Sequence, residues 1–172
     1  MTRLRPPRAV TSADDCSTFR SGERSLDDWL NHRAIKNEES GGSRTFVSVD
    51  EDTGLIAGYY CLSAGTLVHE ESPGRLKRGT PNPIPVILIG RLAVDEPFQG
   101  IGLGASLLRH SMAKGLEAAQ LIGARAFLVH ALSGAAVSFY ERFGFVLMPD
   151  SERTLYVLMK DAVATVSGQR SA

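Results

Sequence analysis

Cysteine is scarce: Cys16 and Cys61 are the only two in 172 residues. With no short spacing between them they support neither a disulfide framework nor a zinc knuckle, and a reducing compartment, the cytoplasm, is the simpler expectation. The four histidines (His32, His69, His110 and His130) are scattered, and His69-Glu70-Glu71 lacks the second histidine of a zincin helix, so no metal is expected. No apolar stretch approaches the roughly 20 residues that span a bilayer, so no membrane partner is expected. The basic start Met1-Thr2-Arg3-Leu4-Arg5-Pro6-Pro7-Arg8 is not followed by the apolar run of a secretory signal. Net charge is also missing. With 19 basic and 19 acidic residues, any binding of nucleic acid has to come from local clustering.

What remains is an ordinary folding composition, 43% hydrophobic and 22% charged. The length suits one domain, expected over residues 1–162 with a flexible tail at 163–172. Residues 8–11 read as a short strand. Ser25, with Asp28 three residues on, reads as a capping-box-like helix start, and Leu26, Trp29, Leu30 and Ala34 share one face before Gly41-Gly42 ends the unit. Residues 45–49 and 55–62 form a hairpin around the polar loop 50–54. Between residues 70 and 85, Pro73, Gly74, Gly79, Pro81, Pro83 and Pro85 mark an exposed connection. Residues 84–94 read as a strand buried on both faces, 102–123 as a long helix, 126–131 as a second buried strand and 135–143 as a short helix stopped by Gly144. Residues 145–148 and 154–159 close the chain as an antiparallel pair. This order is α/β around a mixed sheet.

The loop between the buried strand and the long helix carries chemistry. Gln99-Gly100-Ile101-Gly102-Leu103-Gly104 places three glycines at alternate positions where a helix begins. The first amides of a helix have no intrahelical acceptor, and the dipole favours an anion there. Gly100-x-Gly102-x-x-Ala105 also satisfies a loose dinucleotide fingerprint. That reading needs a carboxylate after the next strand, where His130-Ala131-Leu132-Ser133 stands instead. No Gly-Lys-Ser/Thr follows, which excludes a triphosphate loop. A pyrophosphate without nicotinamide or triphosphate points to coenzyme A.

This loop resembles the acyl-CoA signature of GNAT N-acetyltransferases, Arg/Gln-x-x-Gly-x-Gly/Ala, and Gly90-Arg91-Leu92-Ala93-Val94 fits the strand before it. The resemblance implies a GNAT fold, a single mixed and mostly antiparallel sheet with a splayed central strand pair, flanked by helices. It implies acetyl-CoA as co-substrate, with Leu92, Ala93 and Val94 lining the acetyl and pantetheine arm. Gln99, Gly100, Ile101, Gly102, Leu103, Gly104 and Ala105 would surround the pyrophosphate. Residues 133–145 resemble the family's Asn-x-x-Ala-x-x-x-Tyr-x-x-x-Gly-Phe segment, with Ser133 where many relatives carry Asn. Tyr140 takes the catalytic position. A phenol titrating near 10 stays protonated at neutral pH, while a thiolate of pKa about 8.5 takes up a proton, so Tyr140 suits the general acid. No general base stands out; Glu141 and His130 are candidate assistants.

Residues 19–30, residues 43–47, Gly58-Tyr59-Tyr60, residues 83–95 and residues 139–145 together resemble the TacT/AtaT-like tRNA-acetylating toxins of toxin–antitoxin modules. The resemblance spans roughly residues 10–160. It implies that the acceptor is the α-amine of aminoacyl-tRNA, that acetylation blocks translation, and that the partners are a ribbon-helix-helix antitoxin and a second copy in a homodimer. An α-amine titrates near 7.7–8.0 against about 10.4 for lysine, so it needs less help from a base. The stretch from 75 to 91 holds Arg75, Lys77, Arg78 and Arg91 and no acidic residue. With Arg142, Arg33 and Lys36, these are the candidate RNA contacts. A small-molecule or protein amine as acceptor, and a coenzyme-binding module without turnover, are the alternatives.

Overall fold

Alternating apolar residues in residues 44–62 give two sheet faces, and each face takes a different helical cover. The structure, a computed structural model, describes residues 2–168. The chain divides into two compact units, one containing the residues up to Ser63 with Gly90–Ser111, the other Ala64–Ile89 with the chain from Met112 onward.

In the first unit β1 (Arg8–Ala9), β2 (Arg44–Val49) and the start of β3 (Ile56–Leu67) pair antiparallel. One face, with Val47, Val49 and Tyr59, packs on Phe19, Leu30 and Ala34. The last two belong to α1 (Arg24–His32) and α2 (Ala34–Ser40). The other face gathers Phe46, Tyr60 and Leu62 with Leu103 and Leu107, which belong to the long helix Leu103–Ile122. The helix expected as one unit breaks at Arg33 (φ −123°, ψ −32°). It also starts before Ser25: Glu23 is the N-cap and makes no side-chain cap bond. The buried Asp27 carboxylate instead accepts the Ser21 amide (2.9 Å) and hydroxyl (2.6 Å). A buried carboxylate needs such donors more than an exposed helix end needs a cap. Gly41, at φ 80°, ends α2 as expected.

In the second unit residues 70–85 are less open than expected. A 3₁₀ turn at His69–Glu71 and a short helix α3 (Gly74–Lys77) form there, anchored by fully buried Leu76. The long helix Leu103–Ile122 is α4, and α5 spans Gly134–Glu141. The early part of β4 (Ile84–Val94) pairs parallel with β5 (Ala126–His130), and β5 pairs antiparallel with β7 (Thr154–Leu158), which pairs with β6 (Val146–Leu147). Among the described residues seven strands follow one another by pairing in the order β1-β2-β3-β4-β5-β7-β6. The tail departs from expectation: α6 (Met159–Ser167) continues through Val163, with Ala162 buried and Thr165 Oγ1 donating to the Phe143 carbonyl at 3.1 Å. The expected tail beyond residue 168 lies outside the described residues.

Helix α4 carries a glycine in its interior for a packing reason. A Cβ on Gly115 would lie 2.2 Å from Phe127 Cε1 and 2.5 Å from Cζ, and Phe127 is fully buried. Alanine gains about 1 kcal/mol of helix propensity, but overpacking a core costs roughly 1–3 kcal/mol. Gly115→Ala is therefore expected to lower the melting temperature by a few degrees, read by calorimetry. An unchanged or higher value would show that the ring yields freely.

Candidate active site

The β4–β5 ladder runs from Val86↔Ala126 to Ile89↔Val129, and among the described residues the register ends there. β4 continues through residues 90–94, which is the strand splay that the resemblance implied. Ala93 packs in the cluster with α1 and α2, while Leu92 and Val94 pack in the cluster with α4. Their side chains are thus committed to the two faces. Residues 92–94 lie beyond the last residue of β4 in the β4–β5 register, Ile89.

After a 3₁₀ turn at Glu96–Phe98, the chain turns through Gly100 (φ 81°) and Gly102 (φ 86°) into α4. Both glycines occupy the left-handed region that L side chains avoid. Nothing lies within 4 Å of where either Cβ would stand. Ser106 N–H donates to the Gly102 carbonyl at 3.1 Å, opening the helical ladder. The amides of Ile101, Leu103, Gly104 and Ala105 therefore have no intrahelical acceptor, and those of the helix point along the axis of 20 residues. This cradle suits a pyrophosphate.

Gln99, expected beside the pyrophosphate, is held through its side-chain amide. Its Nε2 donates to the Ser21 carbonyl (2.8 Å) and the Val94 carbonyl (2.9 Å). Arg20 N–H donates to Asp95 Oδ1 at 2.7 Å, and Glu96 N–H to the Arg20 carbonyl at 2.8 Å. The segment before α1 is thereby tied to the loop. A cleft of about 490 Å³ flanks the loop, lined by Arg5, Gly102, Ser106 and His110 among others. No motif announces this cleft. Arg5 comes to line it because the N-terminal segment runs beside β2, with Arg5 N–H donating to the Val49 carbonyl at 2.9 Å.

Ser133 is the N-cap of α5, its hydroxyl oxygen accepting Ala136 N–H at 3.1 Å. The hydroxyl proton remains a donor. Tyr140 is 7% exposed. Its ring lies 5.3 Å from Phe139 and 5.5 Å from Phe145, both edge-on. Arg142 is exposed with its guanidinium 5.7 Å from the Phe139 ring centre.

The basic residues differ in how they are held. Arg75 pairs with Asp161 of α6 at 2.9 Å, so its charge is already matched. Lys77 and Arg78 are exposed at the end of α3, and Arg33 is exposed at the α1–α2 junction, with Lys36 on α2. Arg91 is half-buried, its guanidinium 5.0 Å from the Trp29 ring, which stacks on Tyr59 at 6.0 Å. Burial pushes the Cys16 and Cys61 thiols up to about 11, which removes both as nucleophiles near neutral pH. Among the described residues no group of three or more His, Cys, Asp or Glu side chains could hold a metal ion. None of their helices is long and apolar enough to cross a membrane.

A strand that turns through two left-handed glycines into an anion cradle at a helix N-terminus marks an acyltransferase that takes its acyl group from a coenzyme thioester. Residues 42–147 match the family described as the acetyltransferase (GNAT) domain, and the chain belongs to this GNAT acetyltransferase family. Over 166 residues it is 46% identical to the tRNA-acetylating toxin of Mycobacterium tuberculosis (strain ATCC 25618 / H37Rv), covering 96% of this chain and 99% of the relative. It is also similar to a tyrosine-to-phenylalanine variant of KacT (TM-score 0.85, 27% identity, 93% and 97% of the two chains). A third relative is AtaT, solved with acetyl-methionyl-tRNAfMet (TM-score 0.83, 26% identity, 92% and 96%) and, as AtaTR, with acetyl-CoA (TM-score 0.78, 26% identity, 93% and 96%).

Proposed function

We propose that this chain transfers the acetyl group of acetyl-CoA to the α-amine of aminoacyl-tRNA and so blocks translation. The observation that carries this reading is the 46% identity, over nearly the full length of both chains, to a tRNA-acetylating toxin. Supporting it, the AtaT structures pair a similar fold with acetyl-CoA and with acetyl-methionyl-tRNA. Acetyl-CoA supplies an activated thioester. The amides of residues 101–105 hold its pyrophosphate, and the backbone edge of Leu92, Ala93 and Val94 holds the pantetheine arm and offers an N–H to the carbonyl oxygen. Ser133 donates to a pantetheine amide. Tyr140 gives its phenolic proton to the departing sulfur. Residues 1–162 act as one domain in the cytoplasm. A ribbon-helix-helix antitoxin neutralises the protein, which works as a homodimer; the similarity to AtaT solved with the C-terminus of the antitoxin AtaR supports an antitoxin partner.

Lys77, Arg78, Arg91, Arg33, Lys36 and Arg142 are the cations proposed to meet tRNA phosphates, with Arg75 contributing least because Asp161 already faces it. Arg78→Glu and Arg91→Glu are each expected to weaken use of charged tRNA about tenfold at low salt. Each is also expected to give a shallower salt dependence, since removing one phosphate partner takes away roughly one unit of slope. Acetyl transfer from labelled acetyl-CoA to total charged tRNA, run beside a polyamine panel, measures this. Unchanged transfer to charged tRNA by both variants across salt would overturn the phosphate assignment. Labelling of polyamines alone would overturn the acceptor.

A further inference from the structure

The proposed reaction lacks a group to take the proton of a charged acceptor amine, and one cleft in the second unit is built to do so. It encloses about 500 Å³ and is lined by Glu70, Glu71, His130, Asp150 and, on its apolar side, Leu128 and Met148. Successive β5 side chains alternate between faces. Phe127 lies against Gly115 of α4, while Ala126 and Leu128 pack in the cluster with Leu76, Met148 and Tyr156. His130 continues this second series, so it stands on the face away from α4. It is also the β5 residue immediately beyond Ile89↔Val129, the last β4–β5 pair, and therefore marks the fork of the splay.

We infer that His130 is the general base for the acceptor amine, and that the acidic cleft around it is the pocket for a cationic amino group. This inference rests on the acetyl-transfer reading above. His130 Nδ1 lies 3.0 Å from Thr154 Oγ1 on β7. With Nδ1–H donating to that hydroxyl oxygen, Nε2 is left bare and basic toward the cleft. Glu70 and Glu71 face it from the 3₁₀ turn and Asp150 from the β6–β7 loop. Glu152 and Arg153 are exposed on that same loop. The carboxylates attract an ammonium group. The acceptor ammonium gives one proton to Nε2 and keeps the electron pair that forms the new C–N bond. The second proton leaves nitrogen as the C–S bond breaks and passes through water to Tyr140, replacing the one that Tyr140 gives to the sulfur. His130 then returns its proton to water. A few residues beyond Glu71 the sign reverses at Lys77 and Arg78, which suits an acceptor that is cationic at its tip and anionic along its backbone.

The test uses the full chain with acetyl-CoA and total charged tRNA. His130→Gln is expected to reduce kcat/KM for the acceptor about a hundredfold, to leave the dissociation constant of acetyl-CoA unchanged, and to move the acidic limb of the pH profile up to the range where the free α-amine itself titrates, near 8. Added imidazole is expected to restore part of the activity of His130→Ala, and Thr154→Val to give a smaller loss with a shifted acidic limb. If His130→Gln keeps the rate and pH profile of the native protein, His130 is only a buttress for β7 and the inference fails. It fails equally if the rate falls with an unaltered profile and no imidazole rescue. If the native protein acetylates a polyamine but no charged tRNA, the acceptor reading fails, and the same variants assayed on that polyamine decide the base separately.

Discussion

Tyr140→Phe is expected to bind acetyl-CoA as the native protein does and to transfer its acetyl group roughly 10²–10³ times more slowly, the usual contribution of a positioned proton donor. The packing explains why binding and fold survive. The ring, 7% exposed between Phe139 and Phe145, keeps both edge-on contacts when only the hydroxyl is removed. Those contacts alone would make Tyr140 an ordinary core aromatic, and a core role predicts that phenylalanine is tolerated in rate as well. The loss has an upper bound too, because a thiolate of pKa about 8.5 can leave without an acid at neutral pH and take its proton from water. Equilibrium dialysis of acetyl-CoA with single-turnover transfer to charged tRNA separates the two roles. A rate within about threefold of native would assign Tyr140 to packing. Two similar proteins, KacT and AtaT, were solved as tyrosine-to-phenylalanine variants.

Local pattern makes β4 readable to the residue: an apolar run, interrupted by Pro85, Gly90 and Arg91 and ended by Asp95-Glu96-Pro97, reads as a strand, and Ile84–Val94 is its extent. The glycine cradle is legible for the same reason, since alternate glycines at a helix start act through backbone geometry alone. What stays hidden depends on partners far apart in the chain. Nothing near Gln99 in the chain shows that one of its amide acceptors is Ser21, 78 residues away. Arg75 looks free in sequence because Asp161 is 86 residues distant, on a helix that the β-branched residues Val163, Thr165 and Val166 disguise as a frayed tail. His130 carries no motif. Its place follows from where the β4–β5 register stops, and register is set by the pairing of whole strands. The break at Arg33 is equally silent, because apolar spacing continues across it from Leu30 to Ala34.

Gly102→Ala is expected to lower acetyl-CoA affinity by about tenfold or more, and the structure supplies its own control. At φ 86° any L side chain is strained, at a cost of about 1–3 kcal/mol. Gly54, in the loop between β2 and β3, has φ 74° and likewise nothing within 4 Å of its would-be Cβ. The two substitutions should therefore cost similar stability, because neither methyl meets protein atoms and both carry the same kind of backbone strain. They differ in what the open space is for. At Gly54 it is solvent. At Gly102 it adjoins the amides of residues 101–105, where a pyrophosphate has to approach within hydrogen-bonding distance, and a methyl there holds it off. Losing even one or two of these charge-assisted bonds, worth about 1.5–3 kcal/mol each, accounts for a change of that size. Melting temperatures that fall together while only Gly102→Ala loses coenzyme would place the phosphate on this loop. Equal affinity in the two variants would mean that the glycines serve the turn alone and that the coenzyme is held elsewhere.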